Sequence, residues 1–304
     1  MKRVCTIILN RNLPEPTDYL YEHLNKYDSS QSDIFVLEAG SDPEKLSKYC
    51  TWHSTEPEVV RNGLRYSRGM NYALLKLYKA NYWSQYEAFF LLTNDTELYP
   101  VETISPLISV LEEHKNVGIL SPCSKRWGER HLLNKTQTKY FWFIHNNALL
   151  LRRSFIESIM EENEPSFMNF IFDGSNFRGY LTESELIAKA YANDWAAAIT
   201  KVVMAEENEA HLLDKSDLIK TEPYSENIEL YINEGKQWLK NKYGYYLIGN
   251  SIVFLIFVEI FLGILNVVLR VQSLISVLHT AVAASLVGLL FLGMAEVFLN
   301  KDKI

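Results

Sequence analysis

The sequence contains little cysteine. Its 304 residues include Cys5, Cys50 and Cys123, an odd number without the spacing of a metal site. This composition excludes a disulfide framework and a cysteine-based zinc site, and it predicts reduced, mostly structural thiols in a cytosolic setting. An apolar signal segment is also lacking at the amino end, where a short strand pattern begins at Val4. We therefore expect that the main body is not secreted.

Positive charge is also scarce. Lys and Arg number 30 against 37 Asp and Glu, which gives a formal net charge of -7. A protein with this charge has no general attraction to nucleic acid, and we expect no nucleic-acid partner. The hydrophobic content of 48% excludes a disordered chain. It is ample for the core of one large domain or two ordinary ones.

The sequence does contain a series of short apolar segments separated by helical patterns. The segments that predict strands are 4–9, 33–38, 88–92, 116–122, 140–151 and 196–204. Segment 88–92 has no polar side chain, which indicates a strand buried on both faces of a parallel sheet. The sequence therefore predicts an α/β protein with a mixed, mostly parallel sheet and flanking helices.

Two acids, Asp95 and Glu97, directly follow this central strand. Ligands of open α/β sheets bind at the carboxyl ends of the strands, and side chains two residues apart in an extended segment point the same way. The pair is therefore a candidate site for Mg²⁺ or Mn²⁺, which take oxygen ligands and keep waters and phosphates in their shells. From these residues alone, a polar turn at the end of a core strand is the alternative.

A segment rich in arginine and glycine precedes a helical pattern at residues 61–71. Arginine side chains match the geometry of phosphate, and glycine permits a close approach of the backbone. The segment is therefore a candidate for holding an anionic ligand, and a solvated basic turn is its alternative.

Another helix is predicted to begin near Thr182. Thr182 and Glu185 have the spacing of a capping box, which leaves Glu183 in the first turn for chemistry. The sequence favours Glu183 over Glu185 as a catalytic acid or base, and it leaves the exchange of their two roles open.

The composition changes after residue 250. Residues 252–269 contain a single acid, Glu259, and residues 274–299 contain only His279 and Glu296 as ionisable side chains. Each stretch is long enough to cross a hydrocarbon core of about 30 Å, so we expect a transmembrane hairpin. A pair of buried core helices is the weaker alternative.

Lysines flank this predicted hairpin, three of them between 236 and 242 and two at 301 and 303, whereas its turn contains only Arg270. The distribution predicts that both ends, and with them the catalytic body, lie on the cytoplasmic side of an inner or plasma membrane. The expected organisation is a catalytic domain at 1–230, a basic juxtamembrane linker at 231–250, and the hairpin with a short tail at 251–304.

Five segments in a fixed order resemble family-2 glycosyltransferases of the GT-A fold, which has a Rossmann-like mixed sheet. The resemblance is strongest to bacterial rhamnosyltransferase-type enzymes that build surface polysaccharides, and it covers about residues 3–215. Its segments are Asn10-Arg11, Glu38-Ala39-Gly40-Ser41-Asp42, Gly69-Met70-Asn71, Leu91-Leu92-Thr93-Asn94-Asp95-Thr96-Glu97 and Thr182-Glu183-Ser184-Glu185-Leu186.

The resemblance implies a role for each of nine residues. They are Asn10 and Glu38 at a nucleoside, Arg68 and Asn71 near the diphosphate, Asn94 at the nucleotide, Asp95 and Glu97 at the metal ion, Glu183 as the base that deprotonates the acceptor, and His211 as a further metal ligand. A structural role is the alternative for His211. The family usually has Asp where this chain has Glu38, Glu97 and Glu183, which puts the exact roles of these three in doubt.

The implied activity is an inverting, metal-dependent transfer of a sugar from a nucleotide-diphosphate donor. The predicted hairpin suggests an acceptor on a polyprenyl phosphate or a polyprenyl-diphosphate oligosaccharide, and a homo-oligomer is compatible with the sequence. One alternative is a membrane-anchored nucleotide-sugar-binding protein without activity. Another is a nucleotidyltransferase, although the expected Gly-rich, Lys-containing segment does not follow the first strand.

Overall fold

In this computed structural model, the described residues are 2–126, 133, 136–141, 144, 147–208 and 224–269, together with seven single positions between 278 and 289. The chain divides into two units, Met1–Gly235 and Lys236–Ile304. The division falls within the segment predicted as a linker, and that segment is helical.

The described part contains nine strands. They are β1 (Val4–Asn10), β2 (Ser32–Glu38), β3 (Cys50–His53), β4 (Ala88–Thr93), β5 (Thr96–Leu98), β6 (Val117–Cys123), β7 (Thr138–Tyr140), β8 (Ala148–Arg152) and β9 (Ala196–Glu207). The α-helices are α1 (Pro14–Asp28), α2 (Pro57–Asn62), α3 (Arg65–Lys79), α4 (Ile104–Glu113), α5 (Arg153–Ile159), α6 (Thr182–Ala192) and α7 (Tyr224–Leu269).

The strands form one mixed sheet in the order β3-β2-β1-β4-β8-β6-β9-β5, with β7 also paired to β9. The first four strands are parallel, with Asn10 opposite Glu38 and Leu9 opposite Thr93. Strand β8 runs antiparallel to both β4 and β6, and β9 pairs parallel with β6. The predicted α/β class and mixed sheet are confirmed, and the carboxyl ends of β1, β2, β3 and β4 meet at one edge, here called the carboxyl edge.

Helices cover both faces of this sheet. Alternation along β1 sends Val4 and Ile8 to the face that packs against α1 and α4, whereas Cys5, Ile7 and Leu9 contact the side of α3, α5 and α6. The central strand β4 is buried on both sides, as its apolar sequence predicts. The α1 face and the α3/α6 face are therefore distinct surfaces at the carboxyl edge.

Helix α3 begins at the carboxyl edge, because it connects the end of β3 to the start of β4. Its Gly69 allows the helix to lie directly on the end of β1. A Cβ atom at position 69 would lie 2.5 Å from Cδ1 of Leu9, so a larger residue would require the Leu9 side chain or the helix to shift. The start of α3 thus lies close to the strand that carries Asn10.

The observed strands differ from the predicted ones in three places. The predicted strand at 140–151 is two shorter strands, β7 and β8, and the short strands β3 and β5 were not predicted. Both missed strands are short, three or four residues, and pair with distant segments, which a local pattern does not reveal.

Helix α7 contains residues 252–269, the first stretch of the predicted hairpin. Within the part of the chain that the structure describes, no helix combines the length and the apolar character needed to cross a membrane. The second stretch, 274–299, lies mostly outside the described residues. The transmembrane hairpin is thus without support here and stays a prediction.

Candidate active site

A buried polar network joins three strand ends at the carboxyl edge. The amide nitrogen of Asn10 donates to both carboxylate oxygens of Glu38, at 3.0 and 2.9 Å. The amide oxygen of Asn10 accepts hydrogen bonds from the side chain of Asn94 at 2.8 Å and from the backbone of Leu13 at 3.3 Å. Asn10, Glu38 and Asn94 therefore meet in space, as their positions at adjacent strand ends predict.

The same network leaves Asn10 and Glu38 without hydrogen-bonding capacity for a ligand. Both side chains are fully buried, and Glu38 also accepts from the Ser41 hydroxyl at 2.5 Å and the Ser47 backbone at 2.8 Å. The structure does not support the predicted direct contacts of Asn10 and Glu38 with a nucleoside. Their observed role is to fix the loops that surround the site, because buried polar groups are stable only when satisfied.

Asp95 and Glu97 lie on the two sides of a tight change in chain direction. Asp95 occupies the turn after β4 and is 6% exposed, and Glu97 lies in the middle of β5. The extended backbone assumed from the sequence is therefore interrupted at Asp95. Even so, Asn94, Asp95 and Glu97 line one open cavity of about 190 Å³ with Glu15 and Tyr19 of α1.

This cavity is here called the acid cavity. Its acids Asp95 and Glu97 match the requirements of a divalent cation. Their carboxylates are hard oxygen ligands, and the side-chain amide of Asn208 donates a hydrogen bond to Glu97. Among the described residues, no group of three or more His, Cys, Asp or Glu side chains is arranged to hold a metal ion. The pair thus fits an ion that keeps several waters or takes phosphate oxygens, as Mg²⁺ and Mn²⁺ do.

Arg68 and Asn71 of α3, which were both predicted to lie near the diphosphate, have different surroundings. Arg68 donates from Nε to the carbonyl of Gly174 at 2.8 Å, and its guanidinium lies over the ring of Phe177. Burial lowers the pKa of Arg68 below its usual range, although it stays charged at neutral pH. Arg68 is half-buried at the carboxyl edge, where a ligand can reach it.

Asn71, by contrast, is a structural tether. Its amide nitrogen donates to the carbonyls of Phe167 and Phe172, at 3.1 and 2.8 Å. Its oxygen accepts from the backbones of Ile171 and Phe172, at 3.1 and 3.0 Å. All four hydrogen-bonding positions are used and the side chain is fully buried, so the predicted role beside a diphosphate is not supported.

Helix α6 brings Glu183 to the start of α3. The hydroxyl of Thr182 lies 2.8 Å from that of Ser67, which joins the first turns of the two helices. The helix begins after Leu181, which has a left-handed φ of 55°, and no side chain caps it. The predicted capping box of Thr182 and Glu185 is therefore wrong, because the hydroxyl of Thr182 bonds Ser67 instead.

Glu183 is a partly buried side chain whose carboxylate has one fully buried oxygen and accepts a hydrogen bond from its own backbone N–H. Its Oε2 atom is inaccessible to solvent, and within the described part of the chain it has no hydrogen-bond partner. Burial raises the pKa of Glu183 to about 7, against a usual value of 4.5. The charge of Glu183 also contributes to the raised pKa of the Tyr66 and Tyr231 hydroxyls, after the larger effect of their own burial. A carboxylate with a pKa near 7 in a buried site is suited to moving protons.

The two acidic sites occupy opposite sides of the carboxyl edge. The acid cavity includes residues of α1, which covers one face of the sheet. Glu183 and Arg68 belong to α6 and α3, which cover the other face. A molecule bound across this edge would therefore meet the Asp95–Glu97 pair on one side and the carboxyl group of Glu183 on the other.

Some residues of this region were not predicted, and one predicted residue is not described. Glu15, Tyr66 and Tyr231 were missed, since nothing in the local sequence shows that they approach the acids. His211 lies outside the described residues.

Comparisons with known proteins give no family assignment. No family model matches the chain, and no curated protein matches it. The solved structures that resemble it include a mannosyltransferase from Pyrobaculum calidifontis in complex with GDP-Man and Mn²⁺, at 13% identity and a TM-score of 0.46. That match covers 65% of this chain and 54% of the mannosyltransferase, so the chain spans about half of its length.

Two other resembling structures are matched over more of their length. Glucosyl-3-phosphoglycerate synthase from Mycobacterium tuberculosis, in complex with Mn²⁺, UDP and phosphoglyceric acid, is 11% identical over 79% of this chain and 78% of the synthase, with a TM-score of 0.45. TarS 1-349 from S. aureus is 12% identical over 83% and 80%, with a TM-score of 0.47. At these scores the likenesses establish neither the family nor the activity of this chain.

Proposed function

We propose that the chain is an inverting, metal-dependent glycosyltransferase of the GT-A type that uses a nucleotide-diphosphate sugar. The observation that carries the proposal is the placement of two kinds of acid on opposite sides of one carboxyl edge. Asp95 and Glu97 line a cavity on the α1 face, and Glu183 is a buried carboxylate with a raised pKa on the α3/α6 face. This division of labour suits sugar transfer by direct displacement, in which the charge of the leaving group is stabilised on one side and a base acts on the other.

Asp95 and Glu97 are the residues that would hold the divalent ion. When bound, Mg²⁺ or Mn²⁺ supplies Lewis-acid stabilisation of the negative charge on a diphosphate leaving group. Asn94 positions the turn that carries these acids, through its hydrogen bond to Asn10. The buried network of Asn10 and Glu38 thereby fixes the geometry of the acid cavity without contacting the substrate.

Glu183 has the protonation properties of the base. Its carboxylate accepts the proton of the attacking hydroxyl while the hydroxyl oxygen forms a bond to the anomeric carbon. The bond from that carbon to the phosphate oxygen breaks on the opposite side, and its electron pair leaves with the nucleoside diphosphate. One displacement of this kind inverts the anomeric configuration. With a pKa of about 7, a substantial fraction of Glu183 is deprotonated at neutral pH.

The test is the turnover of nucleotide sugars by the full chain. We expect Mn²⁺- or Mg²⁺-dependent release of a nucleoside diphosphate from one member of a panel of UDP-, GDP- and dTDP-sugars, and loss of that release in EDTA. Release of pyrophosphate from a nucleoside triphosphate and a sugar phosphate would instead show a nucleotidyltransferase. Metal-dependent binding without turnover, with and without candidate acceptors, would show a binding protein.

The acceptor in this proposal is lipid-linked, and the support comes from the carboxyl-terminal composition. Ile256, Phe257 and Ile260 of α7 are 45%, 67% and 55% exposed, which is unusual for large apolar side chains and suits contact with an apolar partner. We expect the full chain to sediment with membranes and to be released by detergent but not by 1 M salt. A chain that stays in solution without detergent would remove this part of the proposal and leave the transferase intact.

A further inference from the structure

A second cavity adjoins the acid cavity at the carboxyl edge. It has a volume of about 260 Å³ and shares Glu97 with the acid cavity. Two cations, Lys125 and Arg126, lie in its wall shortly after the end of β6, and Tyr99 and Glu206 also line it. Strand β6 is parallel to β4, because both run antiparallel to β8, so these cations lie at the carboxyl edge.

A buried carboxylate fixes the turn that carries the two cations. Glu206 is 5% exposed, and its Oε2 accepts a hydrogen bond from the Ser124 hydroxyl at 2.6 Å. Its Oε1 accepts one from the backbone N–H of Lys125 at 2.8 Å. The Ser124 hydroxyl oxygen in turn accepts from the backbone N–H of Arg126 at 3.0 Å. The backbone at 124–126 is therefore held in place, while the side chains of Lys125 and Arg126 stay exposed.

The end of β9 connects this turn to the turn that carries the acids. The carbonyl of Glu207 accepts a hydrogen bond from the guanidinium of Arg126 at 3.0 Å. The backbone N–H of Asn208 donates to the carbonyl of Asp95 at 2.9 Å, and its side-chain amide donates to Glu97. Because Glu206 and these two residues are consecutive, one short segment holds both the acids and the cations. Their relative placement is thus a property of the fold.

The charges of the two cavities are complementary parts of one site. Among the described residues, the lining of the acid cavity includes three acids and no lysine or arginine. One divalent ion beside Asp95 and Glu97 leaves most of the negative charge of a bound diphosphate without a partner. Cationic side chains stabilise such charge through charge-assisted hydrogen bonds to the phosphate oxygens.

Lys125 and Arg126 retain donors for this purpose. In the described part of the chain, their side chains contact uncharged groups. The Nζ atom of Lys125 lies 4.1 Å from the centre of the Tyr99 ring, and Arg126 donates to the carbonyl of Glu207. A lysine has three N–H donors and an arginine has five, so both can bind a phosphate without giving up these contacts.

We propose that Lys125 and Arg126 bind the diphosphate group of the donor, and that they stabilise its charge as the bond to the sugar breaks and the electron pair stays on the phosphate oxygen. The inference rests on the proposed function and adds two residues to the donor site. A phosphate group of the acceptor is the alternative source of the same chemistry. The shared Glu97 and the shared β9 segment favour the donor, because both connect the cations to the acids that would hold the metal ion.

The experiment is calorimetric titration of the full chain with ADP, CDP, GDP, UDP and dTDP, each alone, in Mn²⁺ and at constant ionic strength. We expect Lys125→Gln and Arg126→Gln each to weaken the diphosphate that binds the wild type by about 10-fold to 100-fold, as loss of a charge-assisted hydrogen bond does. Lys115→Gln is the matched control, because Lys115 is an exposed lysine two residues before the start of β6, at the opposite edge of the sheet. It should leave the affinity unchanged.

Glu206→Gln separates a positioned turn from general electrostatic attraction. The substitution removes a negative charge, so attraction alone would make the diphosphate bind more tightly. The proposal predicts weaker binding, because an amide cannot accept both hydrogen bonds that hold the turn. Tighter or unchanged binding would overturn the proposal. Circular dichroism checks the fold of each variant, and the substitutions at the exposed Lys125 and Arg126 decide if Glu206→Gln does not fold.

A second titration distinguishes the two sources of phosphate. Inorganic phosphate is added to the wild type and to Lys125→Gln in Mn²⁺ with the bound diphosphate at saturation. We expect no phosphate binding that depends on Lys125. Phosphate that binds this complex and is weakened by Lys125→Gln would assign the cations to the acceptor and overturn the proposal.

The first titration also separates failure of this inference from failure of the proposed function. A diphosphate that binds the wild type and the Lys125 and Arg126 variants equally well would overturn the inference and leave the proposed function intact. A wild type that binds none of the five diphosphates would contradict both.

Discussion

The two edges of the sheet both carry charged side chains, but they use them in opposite ways. At the edge where β1 and β4 begin, here called the amino edge, Arg3 forms ion pairs with Glu87 at 2.6 Å and with Glu112 at 2.7 Å. There, Arg152 donates to carbonyls at the end of α4, with 2.7 Å to Leu111 and 3.3 Å to His114. A cation at the carboxyl end of a helix is favourable because it meets the negative end of the dipole.

At the carboxyl edge, the arrangement is reversed. Arg65 and Arg68 lie at the positive end of α3, and Glu183 has a buried oxygen without a partner in the described part of the chain. The comparison indicates that paired charges at the amino edge stabilise the fold, whereas the desolvated carboxyl group of Glu183 at the carboxyl edge reduces its stability. Functional sites tolerate such costs because a bound ligand compensates them.

The largest expected effect is on turnover, and it compares one acid from each edge of the sheet. Asp95→Asn removes a carboxylate from the acid cavity, and we expect a loss of turnover of at least about 10³-fold, since a bound metal ion contributes several kcal/mol of stabilisation to the transition state. Glu87→Gln, the matched amide substitution at the amino edge, should change turnover less than about 2-fold. Steady-state kinetics with saturating Mn²⁺ measures both, and comparable losses in the two variants would remove the functional distinction.

The next effect concerns the proton. Glu183→Gln should lower the rate by about 10²-fold to 10⁴-fold while donor affinity is unchanged, because a general base contributes that much. In the wild type, the rate should rise with pH through about 7 as Glu183 loses its proton. Glu185→Gln serves as the neighbouring control on the same helix turn. A larger defect in Glu185→Gln would exchange the two roles.

The pH dependence of stability tests the burial of Glu183. Its pKa is raised from 4.5 to about 7 in the folded chain, so the folded state binds more protons between these values. Stability should therefore fall as pH rises from about 4.5 to about 7. Glu183→Gln should remove this loss. At pH 7.5 the free energy of unfolding of the variant, measured in urea, should exceed that of the wild type by at most about 3 kcal/mol, and by less if water reaches the carboxyl group. Equal stability of the two proteins at pH 7.5 would show a solvated carboxylate.

A smaller effect compares one arginine from each edge. Arg152→Gln should lower the free energy of unfolding by about 2 kcal/mol, because charged hydrogen bonds to buried carbonyls are lost. Arg65→Gln should change it by less than about 1 kcal/mol, because the loss of its contact with the Phe177 ring is offset by the removal of a cation from the start of a helix. Urea unfolding at pH 7 measures both. A clear destabilisation by Arg65→Gln would contradict the view that the carboxyl edge is electrostatically unfavourable.

The sequence predicts the strands and the placement of the acids well because these depend on local patterns. The buried run at 88–92 and the acids that follow it are visible without a structure, and strand order brings Asn10, Glu38 and Asn94 together. Amphipathic spacing likewise predicts α6, with Glu183 in its first turn.

What sequence could not supply is the identity of hydrogen-bond partners. Asn71 is polar and lies in a promising segment, but its partners are backbone groups at 167–172, about a hundred residues away. Glu38 is satisfied by Ser41 and Ser47 for the same kind of reason. The approach of Arg178 and Arg68 to the Phe177 ring depends on a loop whose path no periodic pattern specifies.

The most direct test of the central claim is the binding of nucleoside diphosphates to the carboxyl edge. The measurement is calorimetric titration of the wild type and Asp95→Asn with the individual diphosphates of adenosine, cytidine, guanosine, uridine and thymidine, in Mn²⁺ and again in EDTA. The account predicts that one nucleotide binds the wild type in Mn²⁺, and that binding is lost both in EDTA and in Asp95→Asn. A wild type that binds none of the five, or an Asp95→Asn variant that binds as tightly as the wild type, would contradict it.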